Sequence, residues 1–293
     1  MNITILSNRD LASCVALNHL LPQLGGHSLR VFLSSRVGQG AAGRERAAVP
    51  EGLDTLKFIE QDLFNDHLFP LMDRAASGGA GADSDSQAAP PGTLLSFRAL
   101  ERYLAAPIEL LNDINGEGLA RFAKSAPDIA LSIRYGVILR EDAIAVPRCG
   151  VLNLHSGRLP DYKGVMATFR ALMNGDSELN MTLHTIDDSG IDTGRILAYS
   201  SLAVARERSY LWHVLKLYEG GCRVFAEAAL AALSGEAING VEQASLTERG
   251  RYFSFPTQEE LLAFSAAGFR LVDSADINES LRLFTGGGSD GSE

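Results

Sequence analysis

The feature that most limits how this 293-residue chain can fold is an alternation of short apolar runs with segments of helical period. Asn2 to Leu6 and Leu29 to Leu33 (LRVFL) read as buried strands. Between them, Leu11 to Leu21 places Leu11, Cys14, Val15, Leu17 and Leu20 on one helical face, with Asp10 positioned as its cap. Arg36 to Ala48 reads as a loop, Thr55 to Met72 and Leu94 to Leu104 as helices, and Ile108 to Leu111 as a strand. Glu117 to Ala126 and Met166 to Met173 predict further helices, and Ile129 to Ile133 and Gly150 to Leu154 further strands. Strands separated by helices of roughly ten residues require crossover connections, which build a mostly parallel α/β sheet. Asn180 to Ile186 and Arg195 to Ser200 read as a strand pair around the loop DDSGIDTG.

Two stretches stand apart. Residues 76–92 are small and polar and end in Pro90-Pro91-Gly92, so they predict a mobile insertion that cannot bury enough surface to offset its ordering entropy. Residues 285–293 (TGGGSDGSE) predict a disordered tail. After residue 205 a long helix over Ser209 to Leu233 is expected, broken near Gly220-Gly221. Arg251 to Thr257 (RYFSFPT) then reads as extended and packed on the main domain, followed by a helix from Glu259 to Ser265 capped by Thr257.

Acidic residues outnumber basic ones by 36 to 26, a formal charge of −10, which argues against a general nucleic-acid partner. Cys14, Cys149 and Cys222 lie too far apart for a metal knuckle and suit a reducing compartment. The run Phe225 to Leu233 is interrupted by Glu227 and too short for a bilayer, so a cytoplasmic location is the expectation.

Chemistry concentrates in two clusters. In Cys149 to Gly164 (CGVLNLHSGRLPDYKG), Asn153 and His155 are two apart and share one face of a strand that should end near Ser156. An amide can donate to a developing oxyanion, and an imidazole can move a proton or stabilise charge. By themselves the two residues suit a capped strand end with a surface histidine equally well. The second cluster, Asp187 to Gly194, is by itself a solvated hairpin loop more readily than a site. Folded over His155, one of its aspartates would orient the imidazole. His155, His184 and Asp192 match no zinc spacing, so no metal is expected, and His184 reads as a strand residue facing the cleft. No dinucleotide, phosphate-loop or nucleophile-elbow motif is present.

These residues resemble the folate-dependent formyltransferases. The likeness lies in Asn153-Leu154-His155, Leu159-Pro160 and Tyr162-Lys163-Gly164, then Ile191-Asp192-Thr193-Gly194. The segment Tyr135 to Leu139 (YGVIL) supports it. The resemblance implies a Rossmann-like catalytic domain over 1–205, with a small, mainly helical extension over 206–284 that is available for homodimerisation. It implies N10-formyltetrahydrofolate as donor co-substrate and Asn153, His155 and Asp192 as the catalytic trio. Asp187 or Asp188 takes the last place if the motif is shifted. Tyr135, Gly136, Val137, Ile138 and Leu139, with Ser189, Gly190 and Ile191, would line the pterin pocket.

The chain departs from the family at Gly157, where a serine is usual, and at Arg158, which adds a cation. Residues 206–293 hold eight Lys or Arg and a larger number of acids, unlike a basic tRNA-binding barrel. A primary or hydroxylated amine on a small molecule is therefore the expected acceptor. A formyltetrahydrofolate hydrolase would keep the same trio and bind water instead; such enzymes usually carry a regulatory domain ahead of the first strand, which here starts at Asn2. A non-catalytic folate-binding protein is the remaining alternative.

Overall fold

The computed structural model describes residues 1–35, 50–78, 92–246 and 250–286. The expected loop after Ser35, most of the expected insertion at 76–92 and most of the expected tail lie outside the described residues.

Strand β1 (Asn2–Asn8) leads through Asp10, whose carboxylate accepts from Ser13 N at 2.7 Å, into α1 (Leu11–Leu20). Strand β2 (Ser28–Ser34) follows. A helical stretch then runs from α2 (Asp54–Lys57) through wide i→i+5 turns over Phe58–Leu68 into α3 (Phe69–Gly78). The expected helix at Leu94 to Leu104 is shorter. Ser96 caps α4 (Phe97–Leu100), the chain tightens over Glu101–Tyr103, and it turns extended at Leu104 ahead of Pro107, which disfavours helix before it.

Strand β3 (Glu109–Leu110), α5 (Gly118–Lys124), β4 (Ile129–Ile133), α6 (Glu141–Ile144) and β5 (Val151–His155) continue the alternation. A short strand β6 (Tyr162–Gly164) precedes α7 (Ala167–Asn174), and β7 (Glu178–Thr185) and β8 (Ile196–Ala203) form the expected pair. Helix α8 spans Tyr210–Leu233, followed by β9 (Arg251–Phe253), α9 (Gln258–Ala266) and α10 (Ser274–Thr285). The last helix was not expected, although Ile277, Leu281 and Phe284 recur in it at helical spacing. It is held by Asp273 at its N-cap, by Asp276 accepting from Ser209 N, and by Phe284 packed on Phe64 and Phe69.

The main sheet has the order β3-β2-β1-β4-β5-β7-β8. Its pairs are parallel from β3 to β5 and antiparallel from β5 to β8. The chain winds outward from β1 to β3 and returns at β4, so the strand order reverses between β1 and β4. In such sheets a crevice opens beyond the carboxyl ends at the reversal. Two apolar clusters cover the faces. The larger includes Leu17, Leu131, Leu154, Tyr218, Phe225 and Phe284, and the smaller includes Leu6, Phe122, Val137, Leu139 and Val151.

Helix α8 is unbroken at Gly220-Gly221, against expectation. A Cβ at Gly221 would stand 2.4 Å from Met181 Sδ and 3.2 Å from Leu154 Cδ2, and one at Gly220 would stand 2.4 Å from Ser200 Oγ. The glycines serve close approach of helix to sheet, and packing outweighs their intrinsic penalty of about 1 kcal/mol each. Gly221→Leu should therefore lower stability by about 1–3 kcal/mol through overpacking, read as a lower urea midpoint with helical dichroism retained.

Candidate active site

Strand β5 delivers Asn153 and His155 to one face because successive side chains alternate. The strand ends as expected, and Gly157 turns the chain where no side chain fits. A Cβ there would lie 2.4 Å from Ala167 Cβ and 2.8 Å from His155 Nε2. The turn is tied to β7, with Leu159 N donating to Thr182 Oγ1 (3.0 Å) and Thr182 Oγ1 donating to the Gly157 carbonyl (2.6 Å).

The chain then returns as β6 alongside the imidazole. His155 Nε2 lies 2.6 Å from the Tyr162 carbonyl. A carbonyl only accepts, so Nε2 carries the hydrogen and Nδ1 becomes the nitrogen free to exchange a proton. That Nδ1 is 3.5 Å from Asp192 Oδ2, and both side chains are nine-tenths buried. Asp192 Oδ2 also accepts from Gly164 N at 2.7 Å. Burial works against the Asp192 carboxylate, yet the positive charge His155 and His184 carry when protonated, with the Gly164 N–H, holds its pKa down at about 2.

The aspartate sits in the left-handed region, at φ 54°. Its loop is fixed from outside, where Gln243 Nε2 donates to the carbonyls of Asp192 (2.9 Å) and Gly194 (2.8 Å). The other two aspartates serve the loop itself. Asp187 accepts from Thr185 Oγ1 (2.6 Å), and Asp188 accepts from Gly190 N (2.7 Å) and Thr193 Oγ1 (3.3 Å). The carboxylate brought to the imidazole is that of Asp192.

His184 enters the site more closely than its sequence position indicated. It is the cross-strand partner of Asn153 in the β5–β7 register. Its Nδ1–H donates to the Thr185 carbonyl at 2.7 Å, which leaves Nε2 to accept from Asn153 Nδ2 at 3.0 Å. Nε2 is also 3.5 Å from Asp192 Oδ1. The Asn153 amide is thereby oriented, with its second N–H left for another acceptor. Only the register, which the sequence does not state, reveals this pairing.

A cavity of about 460 Å³ opens over Asn153, His155 and Asp192. Tyr135 to Leu139 all border it, as do Gly190 and Ile191; Ser189 is exposed and does not. Val137 and Leu139 are buried in the smaller cluster, while Asn115 holds the segment through the Ile138 carbonyl (2.8 Å) and Arg140 N (2.8 Å). The C-terminal segment supplies Tyr252 and Phe255 to the wall. Its strand β9 pairs in parallel with β6, and Arg170 clamps it by donating to Glu260 and to the Ser254 carbonyl, with its guanidinium 5.0 Å from the Phe253 ring centre. Among the described residues no cluster of potential metal ligands is found, and no helix is long and apolar enough to cross a membrane.

Residues 78–211 match the formyl transferase family model. The methionyl-tRNA formyltransferase of Nitrosomonas europaea is 31% identical over 173 residues, covering 56% of this chain and 48% of that protein. The one from Myxococcus xanthus is 35% identical over 111 residues, covering 38% of this chain and 35% of that protein. The chain thus spans about half or less of the curated relatives it matches. A sugar N-formyltransferase structure from Shewanella sp. aligns with a TM-score of 0.50 at 11% identity, covering 90% of this chain and 87% of that one, a likeness of fold.

The depressed Asp192 pKa has a stability consequence. A carboxyl at about 2 when folded and 3.8 when free stabilises the fold above about pH 4 by roughly 2 kcal/mol, and that contribution is lost as pH falls through about 2. Asp192→Asn should be less stable than the parent at neutral pH, with the difference closing between about pH 4 and pH 2 in acid titrations followed by denaturant midpoint.

Proposed function

We propose that this chain, which matches the formyl transferase family model over residues 78–211, transfers a formyl group from N10-formyltetrahydrofolate to a primary or hydroxylated amine of a small-molecule acceptor. The observation that carries the reading is the convergence of Asn153, His155 and Asp192 on one cavity, all three within the residues that match the family model. Apolar walls from Val137, Leu139 and Ile186 with polar loop groups around Gly190 suit a flat, hydrogen-bonding ring system, so the residues fit the donor.

The roles follow from the hydrogen bonds. When an amine adds to a formyl carbon, a C–N bond forms and an electron pair moves onto the formyl oxygen. The second N–H of Asn153, aimed by His184, is the donor for that oxygen. The attacking nitrogen must lose a proton, and the donor nitrogen must gain one as its bond to the formyl carbon breaks. His155 Nδ1, beside the Asp192 carboxylate, is the place where such a proton can be held. Gly164 N–H and the Tyr162 carbonyl keep the pair in register throughout.

The test is release of tetrahydrofolate from N10-formyltetrahydrofolate by the full chain, with and without added amines. Amine-dependent release and a formamide product are expected. His155→Ala should lower turnover by about 10² or more with the melting profile retained. Formate release at the same rate without any amine, or a His155→Ala variant of near-normal turnover, would overturn the assignment.

A further inference from the structure

The backbone of the turn Asp192-Thr193-Gly194 is held from a segment some fifty residues later, outside the residues 78–211 that match the family model. Gln243 Nε2 donates to the Asp192 carbonyl at 2.9 Å and to the Gly194 carbonyl at 2.8 Å, so both of its hydrogens go to one turn. Gln243 is only 8% exposed, and its Oε1 has no hydrogen-bond partner among the described residues. A buried amide that merely filled space would settle where both ends are satisfied, because an unpaired buried oxygen is costly. Here the two carbonyls alone fix which way the amide points.

Gln243 is itself fixed. Val241 and Ile196 exchange both backbone hydrogen bonds, at 2.8 and 2.9 Å. Arg195 Nη1 donates to the Ile238 carbonyl at 3.1 Å, and a Cβ at Gly240 would stand 2.8 Å from Arg195 Cβ. The strap from Ile238 to Gln243 therefore lies against Arg195 and Ile196, which follow the loop directly.

Asp192 needs such a hold. At φ 54° it keeps a conformation that an L-residue retains only where its surroundings impose it. Pinning its carbonyl sets the rotation about its Cα–C bond, while Gly164 N holds the carboxylate at the other end. A backbone released toward ordinary φ would swing the Cα–Cβ bond and carry Oδ2 away from His155 Nδ1, now 3.5 Å from it. The front of the loop does not depend on Gln243. Asp188 accepts there from Gly190 N and Thr193 Oγ1, next to the Gly190 and Ile191 that border the cavity.

Resting on the formyl-transfer reading, we propose that Gln243 is a positioning residue for the reaction: by holding the Asp192 and Gly194 carbonyls it keeps the Asp192 carboxylate against His155 Nδ1. It is not among the described residues that border the cavity, so it acts through Asp192 and touches neither donor nor acceptor. Its loss should fall on kcat and spare donor binding.

Turnover and urea unfolding of the full chain, in a cycle with Asp192→Asn, test this. Gln243→Met keeps length and volume without a donor, and Gln243→Glu keeps length and polarity but offers an acceptor to two carbonyls. Each should lower kcat about tenfold or more at neutral pH, with the KM for N10-formyltetrahydrofolate within about twofold of the parent. In the Asp192→Asn background, Gln243→Met should change kcat by less than about twofold, because the group it positions is gone. The drop in urea midpoint caused by Asp192→Asn should likewise shrink by about half or more in the Gln243→Met background, a readout that needs no turnover. Near-parental kcat in both Gln243 variants, a donor KM that rises in step with the fall in kcat, or fully additive losses in the cycle would overturn the positioning role. If Gln243→Met does not fold, the same cycle run with Gln243→Glu decides. A parent without amine-dependent release would overturn the formyl-transfer reading alone, and the urea cycle would still decide the role of Gln243.

Discussion

Two backbone groups of one short strand hold the imidazole and the carboxylate in place. The Tyr162 carbonyl takes the Nε2 hydrogen of His155, and the Gly164 N–H takes an oxygen of Asp192. Backbone groups at fixed spacing do not change rotamer, so they set the histidine tautomer and the carboxylate position together. The strand could not do this alone, because a three-residue strand has little stability of its own. It is supported by β9, which lies 89 residues later, and by the Arg170 guanidinium that joins Glu260, the Ser254 carbonyl and the Phe253 ring. Gly164 is required where they meet, since a Cβ there would stand 2.3 Å from the Phe253 carbonyl oxygen. The C-terminal extension is thus part of what shapes the site.

The sheet contributes in a different way. Its reversal between β1 and β4 opens the crevice, and the antiparallel pairing of β5 with β7 brings Asn153 opposite His184. Helix α8 seals one face through glycines that let it lie close on the strands. A 24-residue helix reaches about 36 Å, long enough to back the core and to bring Tyr210 and Tyr218 to the border of the cavity. Charge is not evenly compensated. Asp192 is well compensated by histidines and an amide, whereas Asp10 and Glu60 share a single guanidinium.

Much of this was legible in the residue order. The strand at Ile129 to Ile133, the Asp10 cap, the hairpin around Asp187 to Gly194 and the Thr257 cap all rest on local rules, and local rules leave a local signal. Errors fell where a distant partner overrode the local preference. Gly220-Gly221 reads as a helix break until Met181 and Ser200 are seen against it. The mostly polar segment from Ser274 to Thr285 carries Ile277, Leu281 and Phe284 at helical spacing, and that face packs on the core, with Phe284 against Phe64 and Phe69. His184 is the cleft-facing strand residue the sequence suggests, but its contact with Asn153 depends on the register of two strands.

The sequence by itself determined the alternating architecture, the end of β5 with its amide and imidazole on one face, and the glycine-rich loop that offers three carboxylates. These depend on alternation, capping and turn chemistry within a few residues. The tertiary structure alone decided which histidine aims the amide and that a C-terminal strand holds β6. It also decided that Glu60, Arg134 and Tyr218, scattered over the chain, border one cavity. The physical reason is that hydrogen bonds and charge compensation act over a few ångströms of space and are indifferent to separation along the chain.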